Sequence, residues 1–362
     1  AIIQEADIVV FPETSVTGYA CADMFLHNGF IAHQLDFINK VIVPYTLGKN
    51  ISVILGFVDK SGREKDGFPH LYNSSCHIRN GQNIETYNKV LLARRGQHDD
   101  VRYFEPGNRA VTFEIEKNEK KVKFSAIICQ DMWNDEVMRD MVVESTGAGA
   151  KFVLVLNQSY FYFNKLQKRK KIVSDHCFNR KIPMVYVNAV GVGDIAKNVI
   201  IYDGASFACD QNGNVIAESP MFRESINTVE LNLDTVDQKF VIESRDKIFN
   251  NVYTKEKKYE DIFNGLVFCV KEFYDSIGIQ KQMVYLSGGI DSSVVACIVA
   301  EAFNHSDIVF VSSPTEDNGE VTKNNAQLLA NNLQIHLHWV SMQKAYEGFI
   351  ADYKNAFSEE PS

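Results

Sequence analysis

Three short runs of β-branched and aromatic residues, at 283–286, 308–312 and 335–340, alternate with helical stretches at 292–303 and 323–333. No other feature constrains the fold as tightly, because strands joined through helices pair in parallel with right-handed crossovers. The pattern predicts the opening of a doubly wound parallel sheet, which binds ligands beyond the carboxyl ends of its strands. An amphipathic helix over 259–277 precedes it, with Ile262, Leu266, Val267, Val270 and Phe273 at helical spacing.

Upstream the rhythm differs. Strands are predicted at 8–11, 52–58, 74–79, 123–129, 152–157, 184–190 and 205–210, and helices over 135–145 and 164–180. Asn80-Gly81 and Asn212-Gly213 read as hairpin turns. The mixture predicts an α/β layered domain with a partly antiparallel sheet. Between the two patterns, 223–258 is charge-rich, closes with Lys255-Glu256-Lys257-Lys258 and reads as a connector. The 362 residues thus divide into a first domain at 1–225, a connector at 226–258 and a second domain at 259–362. The abrupt start and the small second domain, with two crossovers, predict a truncated or incompletely represented protein. Residues 93–100 read either as native sequence or as the join of two separated pieces.

Composition excludes several classes. With 45% hydrophobic and 23% charged residues, global disorder is ruled out. A net charge of −9 disfavours nucleic-acid binding through bulk charge, although a local basic pocket is compatible with it. No uncharged apolar run reaches the roughly 18–20 residues of a membrane-spanning helix, and the opening residues do not read as a signal peptide. Cys21, Cys76, Cys129, Cys177, Cys209, Cys269 and Cys297 are scattered, with no CxxC pair. That spacing speaks against zinc and against a disulfide framework, so a cytoplasmic protein with reduced thiols is expected.

Two constellations carry chemistry. In the first, the strand at 8–11 runs into Pro12-Glu13-Thr14, a later strand delivers Cys129-Gln130-Asp131, and Tyr87-Asn88-Lys89 follows a hairpin between them. Singly, a Cys at a strand end is more often inert core, and a lone Glu or Lys is usually solvated. Together, FPETSVTGY (11–19), YNKVLL (87–92), RYFEPG (102–107) and ICQDMW (128–133) resemble, in content and order, the carbon–nitrogen hydrolase (nitrilase) superfamily. The resemblance covers roughly residues 1–225, including Asn157-Gln158-Ser159 and the Asp203-Gly204-Ala205-Ser206 turn.

The resemblance implies a nitrilase-like α-β-β-α sandwich and a Glu13–Lys89–Cys129 triad. Cys129 would attack an amide as a thiolate, with Lys89 lowering its pKa, because a covalent thioester splits one hard hydrolysis into two easier steps. Glu13 would shuttle protons, and the oxyanion would lie between the Lys89 ammonium and the Gln130 N–H. Tyr19, Gln130, Ser159 and Lys165 would hold substrate glutamine. For Tyr19 and Lys165, simple packing and a solvated helix face are readings of equal weight. One departure stands out: the residue after the cysteine is usually Glu in the proteins it resembles, and Gln130 removes that charge.

The second constellation is Ser287-Gly288-Gly289-Ile290-Asp291-Ser292-Ser293, a Gly-rich turn between strand and helix. Glycines let backbone approach an anion, and the N–H groups of a new helix point at it. It is not a Walker A loop, and it resembles the PP-loop of N-type ATP pyrophosphatases. That resemblance implies that Ser287, Gly288, Gly289, Ser292 and Ser293 cradle ATP, while Asp291 helps to hold Mg²⁺. The second domain would then be a partial PP-loop domain.

The two halves together resemble the glutamine-dependent NAD⁺ synthetases. Implied partners are glutamine, ATP with Mg²⁺ and deamido-NAD⁺, with no prosthetic group, a homo-oligomer, and neither nucleic acid nor membrane. In that family ammonia from glutamine displaces AMP from an adenylated nicotinate carboxylate. Since the downstream synthetase residues have no counterpart before Ser362, and Ser312-Ser313-Pro314-Thr315-Glu316-Asp317-Asn318-Gly319 departs from the family's loop, the chain is expected to hydrolyse glutamine weakly or not at all and to make no NAD⁺ alone. Rival readings are another glutamine-dependent amidotransferase of the same ATP-pyrophosphatase type and a non-catalytic assembly module with a decayed site. His336 and His338 could pair at a metal, and the run 165–171 reads as an exposed basic face apart from Lys165.

Overall fold

β1 (Ile8–Val10) runs parallel to β2 (Ser52–Lys65), which pairs antiparallel with β3 (Phe68–Arg79), and β3 with β4 (Gln82–Asn88). The structure is a computed structural model and describes residues 1–65, 68–94, 98–117, 119–133, 139–194, 198–231, 233, 255–314 and 319–357. It divides into two units, Ala1–Lys258 and Tyr259–Ser362. The β3–β4 hairpin turns at Asn80 and Gly81, whose φ values of 47° and 76° are the left-handed pair that a type I′ turn requires. Between β1 and β2 the chain passes through α1 (Asn28–Phe37), a π-helical turn (Ile38–Ile42) and α2 (Val43–Tyr45). This segment covers the outer face of the sheet, where Leu35, Ile38 and Ile42 meet Val53, Leu55 and Phe57.

The alternate residue Ile54 points the other way, into a core shared with a second sheet. After α3 (Asp100–Tyr103) that sheet is built from β5 (Phe113–Lys117), β6 (Lys120–Ile128), β7 (Val153–Asn157), β8 (Met184–Asn188), β11 (Phe207–Cys209) and β12 (Val215–Glu218). Its order is β12-β11-β8-β7-β6-β5, with β6, β7 and β8 parallel and the flanking pairs antiparallel. β7 is buried throughout, as expected of a parallel strand covered on both faces. α4 (Met141–Gly147) and α5 (Lys165–Arg180) follow β6 and β7, and Val173 and Cys177 of α5 join the core. β9 (Val190–Asp194) and β10 (Val199–Asp203) form a separate hairpin, so the predicted strand 184–190 divides at Ala189. The layering is helix, sheet, sheet, helix. The predicted helix 135–145 begins outside the described residues, and α4 starts at Met141, capped by Asp140.

The second unit opens within α6 (Lys255–Ser276), which begins just before it. β13 (Gln282–Tyr285), α7 (Ile290–Ala302), β14 (Ile308–Ser312), α8 (Glu320–Asn332) and β15 (Leu337–Trp339) make a parallel sheet in the order β13-β14-β15. Val284, Phe310 and Leu337 pack against Ala296 and Ala300 of α7 and Ala326 and Ala330 of α8, small residues that let the helices approach closely. α9 (Gln343–Phe357) comes after the third strand. Most of the connector (234–254) and residues 315–318 of the loop after β14 lie outside the described residues.

Candidate active site

Glu13 follows β1 and is 1% exposed. Its Oε1 accepts from Lys89 Nζ at 2.8 Å and from Asn73 Nδ2 at 2.7 Å, and its Oε2 accepts the Gln158 N–H at 2.8 Å. The segment reaches this position by lying on β2 at Gly56, where a Cβ would stand 2.2 Å from the Pro12 carbonyl oxygen and 2.8 Å from Glu13 Cα. Both are backbone atoms and cannot rotate away. Gly56→Ala is therefore expected to displace Glu13 and lower amide-hydrolysis kcat/KM by about a hundredfold, the cost of an ångström-scale misplacement. Unchanged kcat/KM in a folded variant would contradict this placement.

Lys89 leaves β4 under a second close contact. A Cβ on Gly107 would stand 2.1 Å from the Asn88 carbonyl oxygen, and the Gly107 N–H donates to the Lys89 carbonyl at 2.7 Å. Asp131 anchors both this segment and the turn that carries Cys129. Its carboxylate accepts the N–H groups of Val90, Leu91 and Ile128 at 3.1, 2.7 and 3.0 Å, and the Tyr87 hydroxyl at 2.7 Å. Burial pushes Asp131 up to about 6 against these bonds. Lys89 Nζ also lies 2.8 Å from Asp100 Oδ2, so one ammonium bridges two carboxylates, all three nearly inaccessible. Burial alone would lower the Lys89 pKa, but Asp100 and Glu13 outweigh it and hold the ammonium well above the usual lysine range.

Cys129 begins the 3₁₀ turn Cys129–Met132 directly after β6, with a left-handed φ of 44°. A non-glycine residue there is strained, and a sharp strand-to-helix turn is how nucleophiles are raised at a sheet edge. The thiol is 4% exposed and senses Glu13, Lys89, Lys165 and Asp100. Burial and then Glu13 push its pKa above the ordinary cysteine value, and Lys89 and Lys165 oppose them without prevailing. Lys89 acts in the expected direction, lowering the Cys129 pKa, but desolvation outweighs it and the net shift is upward.

Tyr19 is buried, its N–H donating to Gln158 Oε1 at 2.9 Å and its hydroxyl to Asp100. Ser159 is buried at the end of β7, its N–H on Asn188 Oδ1 at 2.9 Å. Lys165 is also buried and not a solvated face, its Nζ standing 3.7 Å from the Tyr160 ring centroid and 4.9 Å from that of Tyr162. Burial and the neighbouring Arg169 bring Lys165 down to about 7. Gln130 is half-buried. Arg169, one turn along α5, is 0% exposed, so the basic run is not an exposed face at that position. Its guanidinium grips Asp203 at 2.7 and 2.9 Å and the carbonyls of Ser159 and Tyr160 at 2.7 and 3.0 Å.

In the second unit, the turn after β13 is braced by its own hydroxyls. Ser287 Oγ lies 3.0 Å from Ser292 Oγ, and Ser293 Oγ donates to the Gly289 carbonyl at 2.8 Å. Gly288, at φ 80°, passes so close to α8 that a Cβ would stand 1.8 Å from the Thr322 carbonyl oxygen. Asp291 sits in the first turn of α7. Among the described residues no group of three His, Cys, Asp or Glu side chains could hold a metal. His336 lies outside β15, its ring 4.4 Å from that of His338. No described helix is long and apolar enough to cross a membrane.

Residues 1–239 match the carbon-nitrogen hydrolase family model. The chain belongs to the carbon–nitrogen hydrolase family. Residues 262–360 match the NAD synthase model, so a nitrilase-like domain precedes an NAD-synthase-type domain in one chain. The Thermotoga maritima protein called glutamine-dependent NAD(+) synthetase is 26% identical over 376 residues, 98% of this chain and 62% of that protein. The Synechocystis protein of the same name is 28% identical over 339 residues, 91% of this chain and 57% of its own. A solved structure of glutamine-dependent NAD+ synthetase from Acinetobacter baumannii in complex with adenosine diphosphate superposes with a TM-score of 0.86 at 26% identity, covering 99% of this chain and 63% of that one. The chain spans about three-fifths of the length of these relatives.

Several site groups of this carbon–nitrogen hydrolase escape a reading of its sequence. Asp100 lies in the stretch 93–100 that reads as a possible join, yet it is the second carboxylate on Lys89. Nothing in the sequence marks it. His98, from the same stretch, has its ring 4.9 Å from Tyr160 and Nδ1 3.2 Å from the Tyr19 hydroxyl. Arg169 carried a signal: four residues after Lys165, it shares that residue's helix face.

Proposed function

We propose that the first domain hydrolyses the side-chain amide of glutamine at Cys129, and that the second belongs to an ATP-dependent synthase amidating deamido-NAD⁺. The observation carrying the first half is the Lys89 ammonium held between Glu13 and Asp100, beside a strained, buried cysteine. With the thiol held up, its proton leaves as sulfur attacks the amide carbon. Glu13 can take it, because three protein donors leave one lone pair on Oε2. The oxyanion gains the fixed charge of Lys89. Collapse expels ammonia, which takes the proton back, and leaves a Cys129 thioester. Glu13 then removes a proton from water, whose oxygen displaces the sulfur and releases glutamate, and Glu13 returns that proton to the Cys129 sulfur.

For the second domain, the support is the turn at 287–293. Gly288 fits the turn against the backbone of α8, where a Cβ would collide with the Thr322 carbonyl, and the turn leads into the N-terminus of α7 with Ser287, Gly289, Ser292 and Ser293 along it. These donors suit the phosphates of ATP, and Asp291 would share Mg²⁺ with ATP's own oxygens. The test of the first half is glutamate release from glutamine by the whole chain, followed under conditions sensitive to slow turnover. Release is expected to vanish in Cys129→Ala, and release unaffected by that substitution would refute the assignment.

A further inference from the structure

Near the end of β10, Tyr202 and Asp203 face opposite ways, as neighbours on a strand do. Asp203 meets Arg169, while Tyr202 packs with Ile200 against Tyr19 and Tyr160. A backbone bridge to Tyr160 fixes Tyr202. Gly193 braces its ring, since a Cβ there would stand 3.2 Å from Cε2 and 3.5 Å from the hydroxyl oxygen. The residue is 5% exposed, and its hydroxyl meets no hydrogen-bond partner among the described residues. That hydroxyl lies in the field of the reacting groups. Burial, then Glu13, Cys21 and Cys129 hold its pKa above the ordinary tyrosine value.

The groups around it are committed. The Tyr19 hydroxyl donates to Asp100, and the Cys21 thiol to the carbonyls of Thr17 and Gly18. Tyr186, the other buried phenol near Cys129, lies on the Arg169 and Ser159 side of it. Glu13 holds Lys89, Asn73 and the Gln158 N–H, which leaves one lone pair on Oε2. A buried hydroxyl without a partner is costly, and an internal water sits where two or more such polar groups converge. Hydrolysis of a thioester at Cys129 also requires a water beside Glu13.

We infer that the Tyr202 hydroxyl, together with Glu13 Oε2, seats the water that hydrolyses the Cys129 thioester. The inference rests on the amidase reading of the same site. In this seat the water accepts from the Tyr202 O–H and donates to Glu13. Its other lone pair attacks the acyl carbon, and its proton passes to Glu13. The carbon–sulfur bond breaks, glutamate leaves, and the Cys129 sulfur takes the proton from Glu13. Acylation moves the thiol's own proton and needs no such water, so Tyr202 acts in the second half-reaction alone.

The test follows Tyr202→Phe in the full chain, a change that removes one oxygen and keeps the ring. Under saturating glutamine, acid-quenched protein is read by mass spectrometry for the acyl group on Cys129. The ratio of acylated to free Cys129 is expected to rise about tenfold, the effect of one hydrogen bond lost from the attacking water. Labelling of Cys129 by an electrophilic glutamine mimic should stay within about threefold of the native rate, because the first half-reaction is intact. Hydroxylamine attacks the thioester through its own nitrogen, giving glutamyl hydroxamate and the free thiol, and is expected to restore the variant's turnover. An unchanged or lowered ratio, or labelling slowed as much as glutamate release, would overturn the inference and leave the amidase reading standing. Neither glutamate release nor an acyl adduct on Cys129 in the unsubstituted chain would overturn both.

Discussion

Lys89→Met is expected to lower amide hydrolysis at least about a hundredfold and to destabilise the first unit by about 3–5 kcal/mol at pH 8. The ammonium lies between Glu13 and Asp100, each 2.8 Å away and each essentially inaccessible to water. Methionine keeps the apolar length of the side chain and leaves two carboxylates facing one another with no cation. One of them must then bind a proton well above the usual carboxylate range. This gives the pH dependence its sign. In the native protein Lys89 holds Asp100 below its ordinary value, overcoming the opposing burial, so the pair's stabilisation is present at neutral pH and lost as pH falls through the depressed value. In the variant the penalty exists above the raised value and is relieved below it. The stability difference measured by urea unfolding should therefore be largest at pH 8 and shrink towards pH 5. A variant as stable as the native protein at pH 8 would contradict the bridged arrangement.

Asp203→Ala should cost about 3–5 kcal/mol, the typical penalty of stranding one member of a buried pair. Asp203 and Arg169 are both 0% exposed, and the Arg169 guanidinium would lose its counter-charge while keeping the Ser159 and Tyr160 carbonyls. The same substitution also removes an acceptor from Asn188, which positions the Ser159 N–H. Replacing both members, as Arg169→Met with Asp203→Leu, is expected to recover a large part of that loss, because no uncompensated charge remains. Urea midpoints of the single and double variants decide the matter. A double variant less stable than Asp203→Ala would show that the pair stabilises beyond mutual neutralisation.

The parallel core was legible because its strands read as apolar runs, as at 153–157, which is buried throughout, and at 308–312, which is buried except at Val309. Turns were legible where chemistry forces them, as at Asn80-Gly81. The strand β5, with Glu114, Glu116 and Lys117 in its five residues, is an edge strand whose polarity hides it. The hairpin β9–β10 carries two glycines and little burial on its first strand, so periodicity had nothing to register. The site divides similarly. Glu13, Lys89 and Cys129 stand out through the motifs around them. Asn73 and Asp100 matter only through three-dimensional convergence, and local pattern cannot reveal a carboxylate whose partner arrives from another strand. The net effect on the Cys129 thiol was equally hidden, because it depends on how completely the fold removes water from it.

The most direct measurement of the central claim, that Cys129 is a nucleophile served by Glu13 and Lys89, is covalent labelling of the whole chain by an electrophilic glutamine mimic, located by peptide mass spectrometry. The account predicts one adduct on Cys129 despite its 4% exposure, slowed at least about tenfold by Glu13→Gln through loss of the base. Labelling spread over the exposed or half-buried thiols with Cys129 untouched, or labelling of Cys129 at an unchanged rate in Glu13→Gln, would contradict it.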